Sequence, residues 1–526
     1  MQSLQGCRWQ AAAHGPYRSE VLVTMSRRAH IQRWRWFPWG FMAIAVLPGL
    51  AAQTAPPAPT FDRAAWQADY AALKTELEQR YANLAWFASP QGGVDLPALD
   101  RYTEATLAIA NNDGQAASAI GNFVRSFHDD HFSALPMLQP GIAEASPPAI
   151  SLTGMDAAAG CAALGYTSDM RVSFSAPFES LPGFHMTSDG LSSAFRAGEM
   201  TLDDGRKLGI VRIHNFHQNQ YPHLCLSAWN TLQQSSKAID LDTLQKEVET
   251  SWYIALATQL KHFHDDGVAA VLVDIGQNNG GNDSGDAAAR LFTARPVRSS
   301  LLLISQSAEA SGYLDEQISE MQTALSLKPS PAIASLLHSH LAVFTDSKKQ
   351  ASRPRAMHWV WHIRRDWKTN ACKRLIPAGT SGGPAGYLPP TRDADNESAR
   401  RLHWPLAMQR QWAAWTGPVY VLTDAKTYSA AEMFAVVMRN NGIARTVGAT
   451  TGGAGCGFMI DAKPVVLPHS HLRFRIPNCI RLRADDSDEV AGIAPDLPVL
   501  PFEGENKRAW ATRILRTVDD DLKMSR

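Results

Sequence analysis

Two buried-strand runs, each followed by a turn and a helix, limit the architecture of this chain more than any other feature. Val268-Ala-Ala-Val-Leu-Val-Asp274 is apolar almost throughout and leads into a glycine-rich turn, with a helix expected over Asp286 to Phe292. Val419-Tyr-Val-Leu-Thr-Asp424 repeats the pattern, followed by a helix from Ser429 to Met438 and another strand over Ile443 to Val447. Short continuous apolar runs bounded by turn residues suit buried strands. Strands that alternate with helices call for an α/β core.

The remaining segments fit around that core. Trp66, Tyr70, Leu73, Leu77 and Tyr81 recur at three- and four-residue steps, a helical period. Further helices are expected over Leu96 to Ile109 and Gln115 to Phe127, so residues 61–135 read as a helical N-terminal domain. Residues 136–208 are rich in Gly, Pro, Ser and Ala and read as β structure and loops. Leu208 to Ile213 is a strand candidate behind the Asp203-Asp-Gly205 turn. Glu247 to Phe263 is an amphipathic helix, with Trp252, Leu256, Leu260 and Phe263 on one face. The core then divides into residues 209–304 and 411–504, with an insertion at 305–410 and a C-terminal tail at 505–526. No internal repeat is visible.

The 526 residues, 45% hydrophobic and 19% charged, are enough for two to four units sharing a large core. Fifty basic side chains against 50 acidic ones leave no basic surplus, which argues against nucleic acid as a partner. Near the start, Arg27, Arg28, Arg33 and Arg35 precede the apolar run Phe37 to Leu47, and small residues Gly49, Ala51 and Ala52 follow. That order reads as a secretory signal peptide within residues 1–52, with residues 1–24 a possible upstream extension and a Pro-rich linker at 53–60. An uncleaved membrane anchor is the competing reading. Export to the periplasm or outside the cell permits disulfides. Cys7 leaves with the signal; of Cys161, Cys225, Cys372, Cys456 and Cys479, Cys456 with Cys479 or Cys161 with Cys225 are candidate pairs, and an odd count leaves at least one thiol free or paired elsewhere.

Ser429, in Thr427-Tyr-Ser429-Ala-Ala-Glu432, falls where a strand turns into a helix N-terminus. Free backbone amides and the helix dipole at such a point can stabilise an oxyanion. Serine is also a common N-cap, and Glu432 has the spacing of a capping-box partner. Asn278-Asn279-Gly280-Gly281-Asn282 follows the other strand, and its glycines allow a substrate close to the backbone.

These elements in this order resemble the tail-specific (C-terminal-processing) proteases, as does Gly492-Ile493-Ala494-Pro495-Asp496 near the end. The resemblance covers roughly residues 60–500 with the insertion outside it. It implies a crotonase-like (ClpP/crotonase-type) α/β core, Ser429 as nucleophile, and an oxyanion hole from the amides of Gly280 or Gly281 and of Ala430. One departure matters. The family's Ser–Lys members carry a lysine in the turn after Val447-Gly448, where this chain has Ala454, so a dyad would need Lys426 from elsewhere. A serine hydroxyl needs a base. The tricorn-like branch uses a histidine ending its helical domain and a glutamate before the Pro-Asp element. Here these match His131, in Asp129-Asp-His131, and Glu489, with Asp488 or Asp486 as alternatives in the same acidic run. The implied triad is Ser429, His131 and Glu489.

Other motifs read as structural. Gly379-Thr-Ser381-Gly-Gly-Pro384 mimics the nucleophile loop of trypsin-like proteases without strand patterning around it. His338/His340 and His358/His362 lack a third ligand, so neither metal nor cofactor is expected. The span between His131 and Leu208 lacks the carboxylate loop of a PDZ domain, so the resemblance does not carry over C-terminal-tail recognition. The reading is an exported serine endopeptidase that acts on peptides or unfolded protein. It expects no stable membrane insertion after signal removal and leaves the oligomeric state open. An inactive ligand-binding protein of the same fold and an ester or amide hydrolase lidded by the insertion are the rivals.

Overall fold

The computed structural model describes residues 60–137, 150–166, 172–191, 193–235, 239–353, 355–367, 375–388, 397–459 and 463–525. The expected signal segment, most of the Pro-rich linker, Cys7 and Cys372 lie outside the described residues. Along the chain the strands are β1 (Ser133–Leu135), β2 (Phe184–Asp189), β3 (Arg196–Thr201), β4 (Lys207–Arg212), β5 (Ala270–Asp274), β6 (Leu301–Ile304) and β7 (Ile376–Thr380). They continue as β8 (Val419–Thr423), β9 (Arg445–Gly448), β10 (Val465–Val466), β11 (Arg473–Arg475), β12 (Cys479–Leu482) and β13 (Leu497–Pro498).

The central sheet runs β13-β9-β8-β5-β4-β3-β2, parallel from β13 to β4 and antiparallel beyond it. β5 and β8 sit side by side at its centre and every one of their residues is buried, as their unbroken apolar runs require. One face packs under the helices Leu241–Asp265 and Ser429–Asn440. The first starts earlier than its apolar stripe because Asp240 caps it, accepting from the Thr243 amide at 2.9 Å. Phe263 from this helix lies so close over β4 that a Cβ at Gly209 would come within 2.9 Å of its ring. The Ser429–Asn440 helix is buried from Ala430 through Met438, which fits a sequence apolar on nearly all sides. The opposite face is covered by the helix Lys507–Met524. The described part of the expected C-terminal tail is thus mostly helix packed on the sheet. Asn506 caps that helix, and Ile514, Val518 and Leu522 enter the core.

The N-terminal helices Arg63–Arg80, Leu96–Ile109 and Asp113–Arg125 form a second core, which continues into β12 and the segment around Trp361. The 305–410 region builds a third, with two long helices, Ala308–Ser326 and Pro331–Ala351, packed on a sheet of order β12-β6-β7. Three local expectations need correcting. Gly379 and Thr380 end a strand, because β7 pairs with β6. Residues 136–208 include a helix, Ala157–Ala163, capped by Asp156 and tied by a Cys161–Cys225 disulfide. The expected Asp286–Phe292 helix is a single α-turn, Ser284–Ala287, running on as a 3-10 helix. Among the described residues no helix is long and apolar enough to cross a membrane.

Candidate active site

The turns that leave the neighbouring ends of β5 and β8 are laced together. The Tyr428 amide donates to the Asn278 carbonyl at 2.9 Å, and the Gln277 amide to Asp424 Oδ1 at 3.0 Å. Asn278 is fully buried; its Nδ2 donates to the Ile213 carbonyl and its Oδ1 accepts from the Gly280 amide, both at 2.9 Å. Asp274 anchors the base of the turn, accepting from Ser175 and from Arg212. Two parallel strand ends thus present two locked turns to one another, the usual place for a ligand in an open parallel sheet.

Ser429 is the first residue of its helix and has a left-handed backbone, φ 52°. A non-glycine residue there is strained by about 1–2 kcal/mol. It is not a cap: Tyr428 holds the N-cap position and no side chain caps the helix. Among the described residues its hydroxyl makes no hydrogen bond, and the residue is half-exposed. Gly280 lies against it, since a Cβ there would come 2.7 Å from Ser429 Cβ and 3.2 Å from Oγ. The Gly280 amide is already committed to Asn278, so it has no proton to offer an oxyanion. Its role is to leave space. The amides of Gly281 and Ala430 have no partner among the described residues, and Gly280 sits next to both: its Cβ position is 3.1 Å from the Ala430 nitrogen.

His131, in the N-terminal domain, makes no hydrogen bond to Ser429 among the described residues but is tied to the segment that carries it. The connection runs through the loop after β9, where Gly453 pairs with Tyr428 and the Gly452 amide donates to the Thr427 carbonyl at 2.9 Å. In that loop the Ala454 carbonyl lies 2.6 Å from His131 Nδ1. A carbonyl only accepts, so Nδ1 carries a proton, and in the neutral imidazole the lone pair is left on Nε2. Gly453, Ala454 and Gly455 are all left-handed, at φ 86°, 70° and 53°. Gly457 packs on the imidazole so closely that a Cβ would lie 2.5 Å from Nδ1. The Cys456–Cys479 disulfide ties the loop to β12. Lys426 is exposed, and the position that matches the family's lysine, Ala454, instead holds the histidine through its carbonyl.

Glu489 is fully buried but does not meet the imidazole. Its Oε2 accepts from Arg481 Nε at 2.8 Å, and its Oε1 is buried without a partner among the described residues. The acidic run is only partly solvated: Asp485 and Asp486 are exposed, whereas Asp488 is buried, accepting from Asn83 Nδ2 at 2.7 Å. Burial pushes the Asp488 carboxyl up to about 7. Glu432 turns away from any capping box; it accepts from Thr451 Oγ1, and burial, then the nearby Glu489, holds its carboxyl well above the usual range. Asp129 fixes the backbone before His131, accepting from its amide at 3.0 Å and from Tyr81 at 2.8 Å.

The trypsin-like motif lies elsewhere. Ser381 is buried and donates to Asp286 at 2.6 Å, in a network with Arg290 and Ser299. His358 pairs with Glu78, and no group of three metal-ligand side chains occurs among the described residues. Sequence reasoning missed Arg481, and it named Asn278 only as part of the glycine-rich turn, without its role as the brace of that turn. Arg481 carries no motif; its one signal was a charge in the otherwise apolar strand Cys479-Ile-Arg-Leu482.

The sequence model of peptidase family S41 matches residues 207–499, more than half of the chain and inclusive of Ser429 and Glu489. No curated protein matches the sequence. Among solved structures, mature CPAF complexed with lactacystin is 15% identical, with a TM-score of 0.52 over 88% of this chain and 99% of that one. Another structure of mature CPAF is 14% identical with a TM-score of 0.49, covering 87% and 97%. The photosystem II D1 C-terminal processing protease is 12% identical with a TM-score of 0.30, covering 84% and 94%. The likeness of fold rests on the first of these.

Proposed function

The chain belongs to peptidase family S41 and is a serine-type peptidase, and from that premise we propose that it is an exported endopeptidase cleaving peptides or unfolded protein through an acyl-enzyme at Ser429. The observation that carries the proposal is the strained Ser429 backbone beside the amides of Gly281 and Ala430, which have no partner among the described residues. Ser429 Oγ attacks the scissile carbonyl while His131 Nε2 takes its proton. The oxyanion forms between the two amides, and His131 then returns the proton to the leaving amine. Water deacylates the enzyme by the same route in reverse. Glu489 supports the histidine, and the core is of the crotonase-like type, to which parallel strands followed by glycine-rich turns are suited. Export is supported by the basic, apolar and small-residue order of the first 52 residues and by two disulfides.

The test is labelling of the mature protein by a serine-directed fluorophosphonate, followed by digestion of an unfolded protein. Labelling should disappear in Ser429→Ala and fall by about 10³-fold or more in His131→Ala. A folded wild type that does not label, or labelling that survives Ser429→Ala, would remove the nucleophile from this scheme.

A further inference from the structure

Glu489 and His131 make no direct contact, yet both touch one loop, and a third side chain joins them. Arg481 is buried, 5% exposed, and sits on β12 with a contact from each of its nitrogens. Nε donates to Glu489 Oε2 at 2.8 Å, Nη2 to the Gly455 carbonyl at 2.9 Å, and Nη1 reaches Met433 Sδ at 2.8 Å. Gly455 follows Ala454, whose carbonyl holds His131 Nδ1. Met433 lies in the helix that Ser429 begins. One guanidinium therefore bears on the carboxylate, on the loop that fixes the base, and on the helix that carries the nucleophile.

β12 holds that loop twice. Residues two apart on a strand share a face, and Cys479 and Arg481 are so placed. Cys479 is bonded to Cys456 and Arg481 to Gly455. The grip is needed because Gly453, Ala454 and Gly455 are held in consecutive left-handed conformations, which a free loop does not maintain when one residue has a Cβ. A planar guanidinium donates in fixed directions and stays charged at any working pH. It can neutralise Glu489 and orient a carbonyl at once, which neither lysine nor a neutral side chain does equally.

We propose that Arg481 is a positioning residue through which Glu489 acts on His131: the carboxylate fixes the guanidinium, the guanidinium fixes Gly455, and the adjoining Ala454 carbonyl sets the imidazole's tautomer and direction. This rests on the assignment of Ser429 and His131 above. It replaces the direct carboxylate–imidazole contact of a Ser-His-Asp arrangement with a relay through main chain.

The experiment compares Arg481→Met, Glu489→Gln and the volume-matched double variant Arg481→Met/Glu489→Leu with wild type. The double variant removes both buried charges, so it folds even where Arg481→Met leaves Glu489 unpaired and unstable. Two readouts are taken on folded protein well below its melting temperature: the fluorophosphonate labelling rate, and the His131 Nδ1 proton resonance assigned by comparison with His131→Gln. A base displaced by about an ångström loses about 10²-fold. Each single variant and the double should label about that much more slowly, without the losses multiplying, and in all three the His131 resonance should shift upfield or broaden. Wild-type labelling in the folded double variant would overturn the proposal and leave the pair a structural one. Slow labelling in Glu489→Gln alone, with Arg481→Met unaffected, would also overturn it, because the carboxylate would then act without the relay. The resonance keeps this test separate from the parent reading. It reports the Arg481–His131 link even in a protein that does not label, and an unmoved resonance in all three variants sinks the relay even if Ser429 is the nucleophile.

Discussion

The two disulfides should separate stability from activity. Cys161 and Cys225 are 64 residues apart, Cys456 and Cys479 only 23. The loop-closure entropy removed from the unfolded chain gives about 4.3 kcal/mol for the first bridge and about 3.4 kcal/mol for the second. On stability alone, loss of Cys161–Cys225 is the more damaging. The geometry reverses the order for activity. Cys456 belongs to the loop whose Ala454 carbonyl holds His131, and Ala454 at φ 70° costs about 1–2 kcal/mol relative to a relaxed backbone. If opening the bridge lets the loop relax by that amount, the competent arrangement falls by about 5- to 30-fold. Cys456→Ser/Cys479→Ser should therefore label at least about fivefold more slowly while still folded at 25 °C. Cys161→Ser/Cys225→Ser should melt at a lower temperature and label at the wild-type rate. The assay is the fluorophosphonate rate beside a thermal melt for each variant. Equal labelling in both folded variants, or activity losses that track the melting temperatures, would refute the reasoning.

Other outcomes follow from the same geometry. Gly280→Ala places a Cβ 2.7 Å from Ser429 Cβ at a backbone φ of 112°, so labelling should be abolished while circular dichroism shows a folded protein. Ala454→Gly relieves a left-handed alanine but adds unfolded-state entropy, so its net effect on urea unfolding should stay within about 1 kcal/mol, with labelling retained because the carbonyl is unchanged. His403 is 1% exposed, and burial, then the nearby Arg290, depresses its pKa from 6.5 to about 3. Its neutral form is favoured in the folded protein, so its contribution is full above pH 6.5 and is lost as pH falls toward about 3. Urea midpoints should show wild type losing about 1.4 kcal/mol per pH unit more than His403→Asn below pH 6.5; parallel pH dependences would show that His403 does not set this slope.

The parts legible in the sequence are those where one local pattern decides the structure. β5 and β8 are apolar without interruption because helices cover both faces of the sheet, and such runs read directly. The helix Leu96–Ile109 starts at a capping Asp95 with Pro97 behind it and ends where its apolar period ends. Ser429 stood out because a strand, a turn and a helix start coincide there. Distant groupings were another matter. His131 and Ala454 are 323 positions apart, and nothing in Gly453-Ala-Gly455 announces that one carbonyl will choose a tautomer. The acidic run around Glu489 has the composition of a solvated loop, yet Asp488 and Glu489 are drawn under the helical domain by Asn83 and Arg481. The strand in Ile376–Thr380 escaped notice because its β character comes from pairing with β6, not from alternation in its own residues.

The antiparallel pairing of β1 with β11 has one more consequence. It joins the strand directly after His131 to one that is made more than three hundred residues later, just before β12. As the chain is synthesised, His131 appears early and Ser429 late. The strand that aligns their shared loop comes later still, and Glu489 after that. The proposed site is thus complete only once β11 has paired with β1 and β12 with β6. A chain that has not yet made β11 and β12 therefore carries both His131 and Ser429 without the pairing that joins their segments.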